Sequence, residues 1–303
     1  MQIVVIGLGL IGGSLALALR GFRNAHVVGV EVCAQTRRLA RKAGLRVVSA
    51  NEASVRSVLG SADIIVFCVY PETMVELVGK YAAAFKCGCV VTDVTGVKEE
   101  LTRRVSRLLP KSVDYVSAHP MAGREKDGFE NADASLFKGT GFLITPVRNP
   151  SPKSVALIRD MGRHIGAARI TVVSPKEHDR IIAFTSHATH LTAVALTLGL
   201  PKAATPAFCA GAFRDATRVA NINDVLWGEL MMQNRGNVLR ELARLQRHFG
   251  QLETALRQKD SAGLRRLFRQ ARAKKQKNEN TLFPTSSSSS ISSPSSISSI
   301  SSL

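Results

Sequence analysis

The first fourteen residues contain the feature that most restricts the fold: an apolar strand, then three spaced glycines and an apolar helix. The strand is Gln2–Ile6, and the glycines are Gly7, Gly9 and Gly12. In this pattern the first glycine permits a tight turn, the second lets the backbone approach a pyrophosphate, and the third lets the helix pack closely on the strand. The helix, predicted over residues 10–19, points its free N–H groups and positive dipole end at the phosphates. The chain therefore opens with a dinucleotide-binding unit.

A second strand supports this interpretation and indicates which cofactor is bound. Residues 26–30 form an apolar run that ends in Glu31, nineteen residues after Gly12. A carboxylate at this place accepts hydrogen bonds from the ribose hydroxyls and repels a 2′-phosphate, so NAD is favoured over NADP. Arg37 and Arg38 follow closely and leave NADP use open. The residues predicted to contact the cofactor are Gly7, Leu8, Gly9, Leu10, Ile11, Gly12, Glu31 and Val69.

Strand-like and helix-like stretches alternate along the first 173 residues. Further buried strands are predicted at 64–69, 89–93, 115–118, 141–146 and 168–173. Helical stretches fall between them, for example at 72–85 and 98–109. This alternation predicts an α/β fold of the Rossmann type, in which helices cover a doubly wound, mostly parallel sheet.

The rest of the chain has a different pattern. Residues 175 to about 277 are predicted to be helical throughout, with apolar stripes at 181–198 and 225–245. So much apolar surface on an all-helical domain predicts an oligomer interface, and a homodimer is the commonest arrangement. The last twenty residues are almost all Ser and Ile and carry no charge, which predicts a disordered tail. We therefore divide the chain into a dinucleotide-binding domain at 1–173, a helical substrate and dimerisation domain at 174–283, and a Ser-rich tail at 284–303.

Composition argues against several classes of protein. With 303 residues, of which 45% are apolar, the chain can bury a large core. We find no apolar stretch of the roughly 18 residues that a membrane span needs. A strand that begins at residue 2 leaves no room for a signal peptide, so a cytoplasmic location is expected. The five cysteines lack paired spacing, and the single C-x-C at 87–89 is half a zinc motif, so no metal is expected.

The net charge of +18 is concentrated near the end of the chain. Residues 235–277 contain thirteen Lys and Arg against three acids, a density also found at nucleic-acid-binding surfaces. However, apolar residues recur in this segment at helical spacing, and it contains no nucleic-acid-binding motif. We interpret the basic residues as the solvated face of amphipathic helices, and we expect neither nucleic acid nor a membrane as a partner.

The strongest chemical signal after the glycines is the segment SAHPMAGREKDG at 117–128. It follows a predicted strand at the carboxyl edge of the sheet, where ligands bind in this architecture. Its Pro-Met-Ala-Gly turn is a non-helical loop that presents one polar side chain, His119. A histidine placed there can take a proton from a substrate hydroxyl while hydride leaves the same carbon. A capping or core histidine is the alternative, but the loop favours a catalytic one.

A third group of polar residues lies in the helical part. Ser186 and His190 are four residues apart, which places them on one helix face, and the same spacing separates Arg214 from Arg218. Two aligned guanidinium groups suit an anionic substrate that carries carboxylates. For the two arginines alone, a pair of surface salt bridges is an equal alternative.

Together these motifs resemble the prephenate/arogenate dehydrogenase family. The segments GLGLIGGS, HPMAG-x-E-x-x-G, SH-x-x-H and GAFRDATRVA occur in the family's order and spacing, and the resemblance covers residues 1 to about 277. It implies NAD-dependent oxidative decarboxylation of prephenate to 4-hydroxyphenylpyruvate, a step of tyrosine biosynthesis. In this reaction His119 would accept the proton of the ring hydroxyl.

The resemblance also implies the residues of the substrate pocket. Arg218 would pair with a substrate carboxylate, and His190 would lie beside the substrate. Trp227 would reach the pocket from the partner subunit. The substrate-binding residues implied in this way are Arg218, His190, Ser186, Arg214, Glu125 and Trp227.

Two alternatives and one departure from the family pattern accompany this interpretation. Arogenate dehydrogenase, or a cyclohexadienyl dehydrogenase of dual specificity, is the nearest alternative, and His190 favours prephenate. A β-hydroxyacid dehydrogenase or imine reductase shares the Rossmann-plus-helices plan, but the histidine loop and the arginine pair argue against it. Family members often carry a serine before the Val-Lys pair that supports the catalytic histidine, and here this residue is Gly96. We expect Thr95, water or the backbone to orient His119 instead.

Overall fold

Eight strands form one sheet in the computed structural model, which describes residues 1–124, 126–204 and 206–282. Their order in the sheet is β3-β2-β1-β4-β5-β6-β7-β8. Neighbouring strands are parallel except for β6 and β7, which are antiparallel. The predicted Rossmann-type, mostly parallel sheet is confirmed. The strands are β1 Gln2–Ile6, β2 His26–Glu31, β3 Arg46–Ser49, β4 Ile64–Phe67, β5 Val90–Asp93, β6 Asp114–Pro120, β7 Gly141–Val147 and β8 Arg169–Val172.

Six α-helices lie between the strands in the described part of the chain, and further helices follow β8. The first six are α1 Leu10–Ala18, α2 Ala34–Lys42, α3 Glu52–Leu59, α4 Pro71–Tyr81, α5 Glu99–Leu108 and α6 Pro152–His164. The later ones are α7 Pro175–Ile182, α8 Thr189–Leu198, α9 Gly211–Thr217, α10 Asp224–Gln233, α11 Arg235–Arg257 and α12 Ser261–Leu282. A π-helical segment, Ala183–Ala188, joins α7 to α8. The prediction of uninterrupted helix was wrong in detail, because the chain is non-helical at 199–204 and 221–223.

The strand order reverses between β1 and β4. From β1 the chain adds β2 and β3 on one side, and it then crosses to place β4 and the later strands on the other side. Ligands bind outside the carboxyl ends of the strands at such a reversal. Two segments therefore lie at the binding edge. The glycine turn follows β1, and the residues that include Val69 follow β4.

Two glycines of the first turn are required by the backbone. Gly7 has a φ of +86°, and a Cβ atom placed on it would lie 2.6 Å from the carbonyl oxygen of Cys68. A Cβ atom on Gly12 would lie 1.9 Å from the carbonyl oxygen of Gly7. Only glycine therefore permits both the turn and the close contact of α1 with β1.

Apolar side chains cover both faces of the sheet. Alternate residues of β1 point to opposite faces, so that Ile3 packs with the buried side chains of α1 and α6, whereas Val4 packs with those of α4 and α5. Burial on both faces explains why the strands are continuous apolar runs rather than alternating ones.

A fully buried ion pair lies under the carboxyl edge of the sheet. The Nζ atom of Lys98 is 2.5 Å from a carboxylate oxygen of Asp93, and neither side chain is exposed. The hydroxyls of Tyr115 and Ser117 also donate to Asp93, and Lys98 donates to the carbonyl oxygen of Ala118 at 2.6 Å. Burial alone would raise the pKa of Asp93, but the charge of Lys98 holds that pKa below its usual value. This cluster ties β5 and the start of α5 to β6.

The described residues fall into two compact units. Met1–Leu242 contains the sheet and α7–α10, and the second unit begins at Ala243 and contains the end of α11 and α12. The domain boundary at residue 173 stays a prediction, because the strands end there but the first compact unit continues. The predicted disordered tail at 284–303 lies outside the described residues.

One helical run meets the length and composition of a membrane span. It is Pro175–Leu198, whose most apolar window has a mean hydropathy of 1.4 and is 28% buried. The expectation that no stretch reaches this length was wrong, because residues 181–198 contain Ser, Thr and His but no Asp, Glu, Lys or Arg. Phe184 and Leu198 are among its exposed apolar side chains. Exposed apolar helix faces are also typical of subunit interfaces.

We expect Lys98→Met to destabilise the protein strongly, because it leaves the Asp93 charge buried without its partner. The free energy of unfolding, measured by urea titration, should fall by about 3–5 kcal/mol. The matched control is Lys86→Met, which removes an exposed ion pair with Asp63 and should cost less than about 1 kcal/mol. Equal losses in the two variants would show that the buried pair has no special importance.

Candidate active site

A cavity of about 600 Å³ opens at the carboxyl edge of the sheet, between the glycine turn and the helices that follow β8. All of the residues in its wall belong to the first compact unit. The cavity therefore brings the predicted nucleotide end and the predicted substrate end together within one chain. The predicted site residues in its wall are Gly9, Leu10, Ile11, Gly12, Val69, His119, Ser186, His190, Arg218 and Trp227.

The nucleotide end of the cavity has space and donors for a phosphate. A Cβ atom on Gly9 would have no atom within 4 Å, so the backbone is open to a ligand at this residue. Gly9 is also the N-cap of α1, and the amides of Leu10, Ile11 and Gly12 are among the four N-terminal amides that have no partner within a helix. A pyrophosphate fits this arrangement in charge and in hydrogen bonding.

The Glu31 carboxylate is held in place beside the glycine turn. One of its oxygens accepts a hydrogen bond from the backbone amide of Leu8 at 2.9 Å, and the other accepts one from the amide of Cys33 at 2.8 Å. Leu8 itself does not line the cavity: its side chain is fully buried, close to Gly29. The backbone amide of Leu8 thus helps to position Glu31, and its predicted contact with the cofactor stays a prediction. The guanidinium of Arg37 donates to the carbonyl oxygens of Glu31 and Val32.

His119, near the end of β6, is the first member of a chain of hydrogen bonds. Its Nδ1 atom lies 2.9 Å from Nε2 of His178, and Nδ1 of His178 lies 2.7 Å from a carboxylate oxygen of Asp179. The carboxylate of Asp179 also accepts the backbone amides of Lys98 and Glu99, both at 2.8 Å. We call His119, His178 and Asp179 the histidine relay.

The relay determines which nitrogen of His119 is free. A carboxylate only accepts hydrogen bonds, so Nδ1 of His178 carries the proton that it donates to Asp179. In a neutral His178 the Nε2 atom is then an acceptor, and Nδ1 of His119 donates to it. The lone pair of His119 is left on Nε2. In this tautomer Nε2 of His119 can accept a proton.

Burial keeps the first two members of the relay neutral. It lowers the pKa of His119 well below 6.5, and the nearby His178 and Lys98 lower it further. Burial also lowers the pKa of His178, although its hydrogen bond to Asp179 opposes this effect. Both imidazoles are therefore uncharged near neutral pH.

The support of His119 differs from what the sequence led us to expect. A Cβ atom on Gly96 would lie 3.9 Å from Cε1 of His119, so this position faces the ring but carries no side chain. The Thr95 hydroxyl donates to Asp93 and accepts from Lys98, and no hydrogen bond joins it to His119 among the described residues. The expectation that Thr95, water or the backbone orients His119 is corrected: in the described structure a side chain of α7, His178, does so.

At the other end of the cavity, His190 and Trp227 form a stacked pair. Their ring centroids are 3.8 Å apart at an interplanar angle of 33°, and Nδ1 of His190 lies 2.9 Å from the carbonyl oxygen of Ser186. Ser186 belongs to the π-helical segment, a conformation often found at functional sites. Trp227 belongs to α10 of the same chain. Trp227 of this chain therefore lies in the wall of the cavity. The expectation that Trp227 also reaches the pocket from a partner subunit stays a prediction.

A buried histidine, His187, contacts this pair. The ring of His187 meets Trp227 edge-on at 6.1 Å, and its Nδ1 atom lies 3.2 Å from the side-chain nitrogen of Asn234. That nitrogen also donates to the carbonyl oxygen of Asp179 at 2.8 Å. Burial lowers the pKa of His187 to about 4. Asn234 thus joins the substrate end of the cavity to the relay.

The two predicted arginines are not equivalent. Arg218 lies in the wall of the cavity, whereas the exposed Arg214 does not belong to that wall in the described structure. α9 ends at Thr217 and a tighter 3₁₀ turn, Arg218–Ala220, follows, so the two arginines do not lie in one continuous α-helix. The role of Arg214 in substrate binding stays a prediction. Glu125 lies outside the described residues, and its role stays a prediction.

Family models match nearly the whole described chain. The model for the prephenate dehydrogenase nucleotide-binding domain matches residues 15–171, and the model for the prephenate dehydrogenase dimerization domain matches residues 174–270. The chain belongs to the prephenate dehydrogenase family. The predicted family, the oxidoreductase class and a nucleotide cofactor are confirmed by these matches.

Individual members of the family agree with this assignment. The chain is 26% identical to prephenate dehydrogenase of Bacillus subtilis over 89% of its length and 74% of the relative's. It is 31% identical to cyclohexadienyl dehydrogenase of Zymomonas mobilis over 89% of its length and 93% of the relative's.

Solved structures share the fold. Prephenate dehydrogenase from A. aeolicus, in complex with hydroxyphenyl propionate and NAD+, aligns with a TM-score of 0.82 at 23% identity, covering 91% of this chain and 98% of that one. Arogenate dehydrogenase from Synechocystis aligns with a TM-score of 0.75 at 27% identity, covering 91% and 99%.

The buried histidines predict how stability depends on pH. His187 takes up a proton near pH 6.5 when unfolded but only near pH 4 when folded, so acid favours the unfolded state. The free energy of unfolding should fall as the pH drops from 6.5 toward 4, and His187 should account for up to about 3 kcal/mol of that fall. Urea titrations across this pH range should show a shallower decline in His187→Gln. As a control, His248→Gln alters an exposed ring and should leave the wild-type slope unchanged.

Proposed function

We propose that the protein is a prephenate dehydrogenase that uses NAD to convert prephenate to 4-hydroxyphenylpyruvate, CO₂ and NADH in tyrosine biosynthesis. One observation carries this proposal: His119, whose Nδ1 atom is hydrogen-bonded to His178, lines the same cavity as Gly9–Gly12 of the glycine turn and Arg218. Such a site suits the removal of a hydroxyl proton from an anionic substrate beside a nucleotide.

The structure fits the proposed cofactor at two places. Gly9 and the start of α1 form an open cradle for the pyrophosphate, and the fixed carboxylate of Glu31 is placed to accept hydrogen bonds from ribose hydroxyls. A carboxylate there disfavours the 2′-phosphate of NADP. When bound, NAD would supply the acceptor for the hydride that leaves the substrate carbon.

In the proposed mechanism His119 holds the proton for only part of the cycle. Nε2 takes the proton of the ring hydroxyl as the carbon that bears it is oxidised. The ring carboxylate then leaves as CO₂, and its bonding electrons make the ring aromatic. The phenolate oxygen formed in this way takes the proton back from His119. No net proton is released, and the base is regenerated.

The relay stabilises the charge that His119 acquires in this mechanism. When Nε2 is protonated, Nδ1 of His119 still donates to His178, and His178 in turn donates to Asp179. The positive charge is thus connected to a carboxylate through two hydrogen bonds. Such an arrangement orients the base and favours its protonated state during the reaction.

At the substrate end, Arg218 is proposed to pair with a prephenate carboxylate, and His190, Ser186 and Trp227 are proposed to surround the side chain of the substrate. Their positions in the wall of the cavity support these roles. A homodimer is proposed as well, because the exposed apolar face of Pro175–Leu198 lies in the part that matches a dimerization domain. We propose a cytoplasmic location, in keeping with a biosynthetic role.

Arogenate is the second candidate substrate. The relative named cyclohexadienyl dehydrogenase is the more identical of the two curated relatives described above, and the arogenate dehydrogenase structure is 27% identical. Arogenate differs from prephenate in the side chain alone, so His119 would act in the same way on both. NADH formation with the two substrates side by side, repeated with NADP, tests the proposal. We expect prephenate with NAD to give the highest kcat/KM, and no turnover of prephenate would refute the proposal.

His119→Asn should abolish most of the activity while preserving the site. Asn keeps a hydrogen-bonding group of similar size but cannot act as a base, and kcat should fall about 100- to 10,000-fold. Because burial lowers the pKa of His119, the acid limb of the wild-type pH–rate profile should lie below pH 6.5. NAD affinity, measured by calorimetry, should stay near that of the wild type. A variant that keeps the acid limb would show that another residue is the base.

A further inference from the structure

The loop that follows His119 returns along the nucleotide-binding helix. After the cavity-lining residues Met121–Gly123, the chain reaches a short turn whose Phe129 packs on Gly13 of α1, at 2.6 Å from a Cβ atom placed there. The backbone amide of Asp133 then donates to the hydroxyl of Ser14 at 2.9 Å. This segment is therefore docked on the first half of α1.

Docking on α1 fixes the position of Arg124. Its guanidinium donates to a carboxylate oxygen of Asp133 at 2.9 Å. The other oxygen of Asp133 accepts the amide and the hydroxyl of Ser135, both at 2.8 Å, so the carboxylate is itself held still. Ser14 lies about one turn, or ~5 Å, from the start of α1. Asp133, the partner of Arg124, is thus bonded to α1 about a turn from the amides of the phosphate cradle.

Arg124 also lines the cavity together with Gly9–Gly12. A guanidinium has five N–H donors, and in the described structure Arg124 uses only the Nη2 group, toward Asp133. Its side chain is half-exposed at 46%, so the unused donors can reach a ligand. Arginine is well suited to phosphate because its planar fork can donate two parallel hydrogen bonds.

We propose that Arg124 is a cofactor ligand that binds the pyrophosphate of NAD opposite the N-terminus of α1. The proposal rests on the proposed function in its choice of cofactor. The guanidinium of Arg124 would add a positively charged donor to the backbone amides of the phosphate site. Asp133 and Ser14 act as positioning residues, because they hold the guanidinium at α1 through the loop.

The test is direct binding of nucleotides to Arg124→Gln. Calorimetry should show NAD and ADP-ribose binding at least about tenfold more weakly, the lower end of the range for a hydrogen bond to a charged group. Adenosine, which lacks phosphate, should bind equally to the variant and the wild type. Arg124→Lys keeps the charge and should lose less affinity than Arg124→Gln. The matched control is Arg163→Gln on α6, which also removes an arginine paired with an aspartate and should change nothing.

Three results would overturn the proposal. The first is unchanged affinity for NAD and ADP-ribose in a folded Arg124→Gln. The second is an equal loss of adenosine affinity, which would indicate a general disturbance of the loop. The third is a raised KM for prephenate with normal NAD affinity, which would make Arg124 a ligand of the substrate carboxylate. Nucleotide binding needs no substrate, so the test stands even if wild-type protein fails to turn over prephenate.

Discussion

The hydrogen-bonded chain from His119 to Asp179 is the interaction on which the rest of the site depends. His119 lies on β6, His178 and Asp179 lie on α7, and Asp179 also accepts the amides at the start of α5. Three elements are thereby joined at the carboxyl edge of the sheet. The contact between His119 and His178 joins β6 to α7 within the compact unit that contains both the strands and α7–α10.

This arrangement requires polar groups to be buried where the core would otherwise be apolar. Lys98 is central, because its side chain pairs with Asp93 while its backbone amide donates to Asp179. Its positive charge also helps to lower the pKa of His119. Burial thus favours an uncharged His119 near neutral pH. It also makes the folded state less stable in acid, because buried histidines such as His187 must remain unprotonated in that state. Stability and the reactivity of the site have the same physical origin.

The sequence predicted those parts of the site that depend on local pattern. The glycine turn, Glu31 and His119 each follow a strand, and a strand end is readable from a few adjacent residues. His178 could not be found in this way, because it lies 59 residues from His119 and its neighbours read as an ordinary amphipathic helix. The four-residue spacing of Arg214 and Arg218 also did not reveal that the α-helix ends between them, at Thr217. Contacts between distant segments and small changes of helix type leave little trace in a single sequence.

The tautomer of His119 is the most direct test of the relay. Nitrogen-15 NMR of protein labelled at histidine, with His119→Asn used to assign the signal, reports which ring nitrogen carries the proton. The relay predicts a neutral ring protonated on Nδ1 from about pH 6 to pH 8, with Nε2 unprotonated. A charged ring in this range, or a proton on Nε2, would contradict the proposal that His178 and Asp179 prepare His119 as a base.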